Sequence, residues 1–580
     1  MEKTIAVLKK AMRGWFYFLG AFVTMVVISF FLVIPNRSSI KPIPPSAILE
    51  IDLGGDFQEK VTQTPLSMLK PNSRKVLRDM CYLIEEASKE KNIQAIFVKL
   101  TSLNISLAQI QEIKNALKIF KKTGKKLYLY TSYFCQTKDY FLASLFDQIA
   151  ISPAGFLSLA GLKWEVPFGR KLLDKWDIKP NMIHEGQFKS AIETYMESDF
   201  SAPHKEAITS LVKSLEDILI AEIEADLSLK NLKDAFEKGY FLPQEALDQK
   251  LIHKMTNVID FEEEILSKYK IAEKSAEIFS SKDYLRNLNN APENKNVKKY
   301  VALLTLSGEI KDDAEVSSSN FYDDGAIRPH QTWKQLKEIM DDDETAAIVI
   351  RIDSPGGSAF ASEEIWNAIK QANNKKPVIV SMGSVAASGG YYIASAASKI
   401  VAQPTTLTGS IGVYFGKFNT SGFWESLGVH WGEVSTMESA LLHSSNRDYT
   451  EKEKSTLKKA MGFTYNLFKQ RVADGRKLSL EQVEQVAQGR VWTGLQAKGF
   501  GLVDELGGID EAFEMAKKMV QKDNELVELY IYTPEKNWKE AVMDLFNFES
   551  SLKTSFIDAF NAAMLHFSDK FSNGKMLLKL

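Results

Sequence analysis

The chain has 580 residues, 45% of them hydrophobic, with 72 basic and 74 acidic residues and a formal net charge of −2. Its length excludes one small fold and implies two to four domains, and the balanced charge excludes a bulk basic surface built for nucleic acid. Two cysteines, Cys81 and Cys135, are too few for a disulfide framework and lack metal-ligand spacing. At the N-terminus "WFYFLGAFVTMVVISFFLVI", Trp15 to Ile34, is a charge-free run of about the 20 residues that cross a bilayer core. Lys3, Lys9, Lys10 and Arg13 precede it. The positive-inside rule then predicts a cytoplasmic segment at 1–14, one anchor at 15–34 and an extracytoplasmic body. The run is longer than a signal-peptide core, and "PNRSSIKPIPP" offers no small-x-small cleavage site, which predicts an uncleaved anchor.

Residues 35–47, rich in Pro and Ser, read as a stalk. Apolar β-like runs then alternate with helical patterns: Ala95–Leu100 and Leu127–Ser132 early, Ala346–Ile352 and Pro377–Met382 late. This alternation predicts βαβ units with buried parallel strands, an α/β fold. Ser280 to Lys299 is polar and lacks periodicity, so it is expected to join two halves at 48–279 and 300–525. "GVHWG", around His430, reads as a strand. Residues 526–580 read as a C-terminal strand and a helical tail. In that tail Ser551–Phe571 has amphipathic spacing suited to a subunit contact, a surface helix or a membrane-surface helix.

The two halves resemble each other. "YFLAS" at Tyr140–Ser144 recurs as "YYIAS" at Tyr391–Ser395, 251 residues on. "AIFVKL" matches "AIVIRI" at an offset of 252, and Leu242–Ile252 matches Thr493–Val503 at 251. Three anchors in order at nearly constant spacing indicate a tandem duplication of a domain of roughly 250 residues. Its chemistry is asymmetric. Ser388 falls opposite Thr137, Gly389-Gly390 opposite Lys138-Asp139, and "DSPGG" (Asp353–Gly357) opposite "TSLNI" (Thr101–Ile105).

Ser388, in "SMGSVAASGGYYIASAA", reads either as the N-cap of an apolar helix or as a nucleophile at its positive end. "DSPGG" directly follows a strand and reads either as a plain β-to-α turn or as backbone N–H groups exposed for an oxyanion. Both features follow consecutive strands of one sheet, so their tips are expected to be neighbours. Gly389 would then complete the hole with Gly356 or Gly357. A serine needs a base. None of the seven histidines, at 184, 204, 253, 330, 430, 443 and 566, sits in a recognisable constellation with an aspartate. Neither a P-loop nor a dinucleotide fingerprint is present, and no metal or other cofactor is expected.

"DSPGG", "SMGSVAASGGYYIA" and "TGSIGV" (Thr408–Val413), together with the anchor and the duplication, resemble the signal peptide peptidase A (protease IV) family in its long form, from about residue 45 to 540. The resemblance implies a ClpP/crotonase-like fold in each half and a Ser-Lys dyad. It further implies that the serine comes from the C-terminal half and the lysine from the N-terminal half, in a segment like "GQFKSAIE". That segment is Gly186–Glu193 here, which makes Lys189 the base. In the repeat "FKSA" lies opposite "MESA", so Glu438 stands where the first half has Lys189. A lysine acting as base near neutral pH needs its pKa lowered from about 10.4 to about 7–8, which burial between the halves can do. Ser410 is implied as a hydrogen-bond partner of the amine, a turn serine being the other reading.

By the same resemblance the substrates are cleaved signal peptides in the bacterial inner membrane, and the chain forms a homotetramer. Two other readings keep the fold. A crotonase-type acyl-CoA enzyme would bind CoA, and a non-catalytic membrane scaffold would leave Ser388 unlabelled by a serine-reactive phosphonate.

Overall fold

The long apolar runs become parallel strands because both faces of each sheet are covered. The structure is a computed structural model that describes residues 40–60, 75–134, 136–270, 275–290, 299–315, 325–521 and 527–532. The expected anchor at 15–34, Cys135 and the tail helix at 551–571 lie outside the described residues. Among the described residues no helix is long and apolar enough to cross a membrane.

In the first half the parallel strands run in the order Lys254–Met255, Gln148–Ile151, Lys126–Thr131, Ile93–Leu100, Ala47–Ile51, Glu277–Ser280. The second half repeats it as Glu505–Leu506, Lys399–Ala402, Val378–Ala387, Thr345–Ser354, Lys299–Ser307, Val527–Ile531. In strand Thr345–Ser354, Ile348, Ile350 and Ile352 enter one core cluster while Ala347 and Val349 enter another. Strand Ile93–Leu100 divides the same way, Ile96 and Val98 against Ala95 and Phe97. Alternate residues thus face opposite layers, and neither face is left polar.

Duplication extends to detail. The register slips at Ala47/Ile48 in one half and at Tyr300/Val301 in the other. Tyr140 Oη donates to Leu251 O at 2.5 Å and Tyr391 Oη to Leu502 O at 2.9 Å, pairs of partners again 251 residues apart. Each half also carries a 26-residue helix, Ala202–Leu227 and Glu451–Arg476, ending on a left-handed residue, Ser228 or Lys477.

Two expectations are corrected and one strand is placed. The polar joint contains a helix, Ser281–Asn289, because Tyr284, Leu285 and Leu288 form a short apolar stripe against the first half's core. The expected C-terminal strand is Val527–Ile531, an edge strand of the second sheet paired with Lys299–Ser307. "GVHWG" is no strand: residues 428–436 have no regular structure, and Val429 and Trp431 are exposed. A strand needs a partner ladder, and among the described residues none is present for it.

The halves meet along a seam. Strand Lys179–Glu185 of the first pairs antiparallel with Val413–Asn419 of the second. Fully buried Arg351 reaches from the second half to Glu59 (2.9 Å) and Glu112 of the first, and also to Ser381 Oγ and Met382 O. Arg351→Met would leave two buried carboxylates without their cation. We expect it to lower stability by about 3–5 kcal/mol, measured as a shift of the urea midpoint.

Candidate active site

Strand Val378–Ala387 delivers Ser388 at its C-terminal end, where the backbone turns sharply into helix Gly389–Ala394. Ser388 has φ 56° and ψ −119°, a left-handed conformation that is unfavourable for any residue with a Cβ. The turn is held by Ser388 N donating to Gly409 O at 2.8 Å. Its side chain makes no capping bond, so the cap reading fails.

"DSPGG" crosses directly against it. A Cβ added to Gly356 would lie 2.8 Å from Ser388 Cβ and 2.6 Å from Gly389 N, and one added to Gly389 would lie 3.2 Å from Gly357 N. Only glycine allows these backbones to close together. The N–H of Gly356 is already used, donating to Ser354 Oγ at 3.2 Å, which leaves Gly357 and Gly389 as the better placed amides.

Lys189 arrives from the other half. Strand Lys179–Glu185 is carried across the seam by its ladder to Val413–Asn419, and Lys189 follows four residues after its end. Its Nζ lies 2.8 Å from Ser388 Oγ, 3.1 Å from Ser410 O and 3.2 Å from Ser410 Oγ. Lys189 is 3% exposed, and burial lowers its pKa from 10.5 to about 7. A neutral amine has two N–H bonds and one lone pair, and these three neighbours match that valence: it donates to the two Ser410 oxygens and accepts from the Ser388 hydroxyl. Such a group can take a proton near pH 7 and return it.

The structure thus brings Ser388, Lys189, Ser410, Gly356, Gly357 and Gly389 to one place. Three of the histidines bond to other groups: His184 Nδ1 contacts Gly186 O, His204 pairs with Glu193, and His253 accepts from Ile149 N. Among the described residues no group of three or more His, Cys, Asp or Glu is arranged to hold a metal ion.

Gln488, Gly489 and Arg490 also line the site and were not expected from the sequence. Phe188 N donates to Gln488 O at 2.8 Å, and a Cβ on Gly489 would strike Lys189 N at 2.5 Å. The repeat holds a signal for them, since Gly489 lies opposite Lys238, the same kind of asymmetry that marks Ser388.

The depressed pKa carries a linkage. Between about pH 7 and 10.5 the unfolded chain binds a proton at Lys189 that the folded chain has released, so stability rises with pH across that window by up to about 1.4 kcal/mol per unit. In Lys189→Met this contribution is expected to vanish, so the wild type should gain on the variant as urea unfolding is repeated from pH 7 to 10.

Comparison with known proteins agrees with this architecture. The profile of peptidase family S49 matches residues 119–271 and 370–523, once in each half, and that of Clp protease matches 326–408. Protease 4 of Haemophilus influenzae is 31% identical over 461 residues, covering 77% of this chain and 73% of that one. A chloroplastic serine protease SPPA of Arabidopsis thaliana is 29% identical over 449 residues, 75% of this chain and 64% of that one. An Enterococcus faecium protein named as a signal peptide peptidase is 33% identical over 223 residues, 38% of this chain and 63% of that one. With one family match in each half and a ClpP-like α/β fold in duplicate, the chain belongs to peptidase family S49 and is a serine protease of its long protease 4 form.

Proposed function

We propose that Ser388 and Lys189 form a catalytic dyad that hydrolyses peptide bonds through an acyl-enzyme. The observation that carries this reading is the 2.8 Å contact between the two side chains inside a buried site. The unprotonated amine of Lys189 takes the Ser388 proton as Oγ attacks the peptide carbonyl carbon. Negative charge then develops on the carbonyl oxygen, where the Gly357 and Gly389 amides donate to it, with Gly356 permitting the approach. The Lys189 ammonium protonates the leaving nitrogen as the C–N bond breaks. Water next gives a proton to the same amine as it attacks the ester, and the ammonium returns that proton to Ser388 Oγ as the ester C–O bond breaks. Ser410 orients the amine by accepting two of its bonds.

The substrates in this reading are cleaved signal peptides. The name of the Enterococcus faecium relative supports this, as does the apolar run Trp15–Ile34, read as an anchor that holds the body on the extracytoplasmic face of a bacterial inner membrane. Peptide hydrolysis by the detergent-solubilised protein should rise with pH along a limb of apparent pKa about 7, as Lys189 loses its proton. Ser388→Ala and Lys189→Ala should each lose at least about 1,000-fold in kcat, and an active Lys189→Ala would end the dyad reading.

Assembly into a homo-oligomer belongs to the same reading, and the repeat supports it. The counterparts of the seam strands 179–185 and 413–419 are residues 428–434 and 162–168, and neither forms a ladder among the described residues, with Trp431, Val434 and Trp164 exposed. Ser214 meets Thr493 across the seam at 2.9 Å; their counterparts, Phe463 and Leu242, are 72% and 56% exposed. A second copy docked head to tail covers both faces. Phe463→Glu and Leu242→Glu should therefore shift the sedimentation coefficient to that of a monomer, and a wild type that is monomeric at all concentrations would remove the assembly while leaving the dyad intact.

A further inference from the structure

Three residues other than glycine hold left-handed backbone around the lysine: Ser388 (φ 56°), Ser410 (φ 52°) and Gln488 (φ 57°). Their repeat counterparts, Thr137, Leu159 and Glu237, all have ordinary negative φ. Strain of this kind persists only where surrounding contacts over-determine it, and it gathers at working sites. Ser388 and Ser410 touch the amine itself. Gln488 does not, so its strain serves something else.

Its contacts show what. Gln488 O accepts from Phe188 N at 2.8 Å, and Gln488 Oε1 accepts from Gln187 N at 3.2 Å. Gly489 lies so close to Lys189 that a Cβ there would come within 2.6 Å of its Cα. On the opposite side Gly489 N donates to Ile411 O at 2.8 Å, and Arg490 O accepts from Ser410 N at 2.7 Å. Three consecutive residues of the second half therefore hold, at once, the loop that carries the amine and the turn that carries its acceptor.

The grip is itself braced. Gln488 N donates to Tyr465 Oη at 3.1 Å, and the Gln488 side-chain amide donates to Glu484, which is paired with Lys469 at 2.6 Å. Arg490 covers the outside, its guanidinium 4.8 Å from the Phe188 ring and 4.6 Å from the Trp492 ring, with Nη1 2.7 Å from Glu206 Oε1. These bonds tie the loop to both halves, and Lys189 beneath it is 3% exposed.

We propose that Gln488, with Gly489 and Arg490, is the positioning element that sets Lys189 on Ser388 across the seam and keeps the amine dry. The inference rests on the dyad reading. It assigns these residues no contact with substrate; they act through the place and hydration of Lys189.

The test is the pH dependence of peptide hydrolysis by the full-length protein in detergent, for Gln488→Gly, Gln488→Ala and Gly489→Ala. Gln488→Gly keeps the backbone acceptor and relieves the strain while deleting the side-chain bond to Gln187; Gln488→Ala deletes the bond and keeps the strain. In each, the limb that sits near pH 7 in the wild type should move up by about one unit as water reaches the amine. That shift cuts the unprotonated fraction at pH 7 about fivefold, so kcat falls there while KM stays within about twofold, and the rate recovers at pH 9. Gly489→Ala, which drives a Cβ into Lys189, should shift furthest. Reduced rate with an unmoved limb, in a variant whose circular dichroism and melting match the wild type, would make the loop merely structural and overturn the proposal. An active Lys189→Ala is a separate result, failing the dyad beneath it.

Discussion

The antiparallel ladder between Lys179–Glu185 and Val413–Asn419 is the constraint on which the site depends. Neither segment belongs to the main sheet of its own half, so each is ordered by the other. The ladder fixes register to one residue, and register decides where Lys189, beyond the strand end, can reach. A slip by a single position would reverse the facing of every side chain on that strand and carry the amine away from Ser388. The buried salt network around Arg351 closes the same seam further along, where Ser106 Oγ also meets Ser384 Oγ at 2.7 Å. Docking the halves removes water from both surfaces, and that dehydration is what lowers the pKa of Lys189, no charged neighbour contributing to the shift.

The first half is packed differently at the positions that match Ser388 and its glycines. Asp139 stands where the second half has Gly390, and its carboxylate accepts from Leu103 N at 3.0 Å, inside the turn that corresponds to "DSPGG". Asp139 is 1% exposed, whereas a Cβ at Gly390 in the other copy would meet Ser354 O at 2.7 Å. Burial raises its pKa, which fits a carboxylate packed into a position built for backbone alone. Thr137, opposite Ser388, is buried and donates its hydroxyl to Ala160 O. The second half went the other way, with Glu438 at the lysine position lying exposed on the surface. Ser388 thus comes from one copy and Lys189 from the other, and they meet at the seam.

Strain is distributed accordingly. Left-handed residues outside the site, such as Ser228 and Lys477, end long helices, where this conformation is a common stop. At the site they instead turn Ser388 outward from its strand and hold the Ser410 turn beneath the amine. Rigid strands and helices on either side keep these turns in place, since Ser388 follows directly on a ten-residue strand buried in the core. The chemistry thus sits on loops whose ends are fixed by the most stable elements of the fold.

Much of this was legible in the residues. Apolar runs located the four strands named from the sequence to within a few residues, because parallel strands covered on both faces must be continuously hydrophobic. The repeat was legible because duplication preserves spacing, and its asymmetries at Ser388 and "DSPGG" marked the site because glycine is needed where backbone approaches closely. The helix Ser281–Asn289 was hidden by its polar surface, and the strand-like look of "GVHWG" misled because an apolar run does not reveal whether a partner is present. Lys189 itself has no local signature, one lysine among many in a polar loop, and came from family resemblance. By itself the sequence determined the main apolar strands, the duplication and the candidate nucleophile, all of which follow from residue pattern and spacing. Only the tertiary structure decided that Lys189 meets Ser388, that Ser410 and the 488–490 loop surround it, and that water is excluded there. Those depend on distances between residues 199 or more positions apart in the chain, which no local pattern encodes.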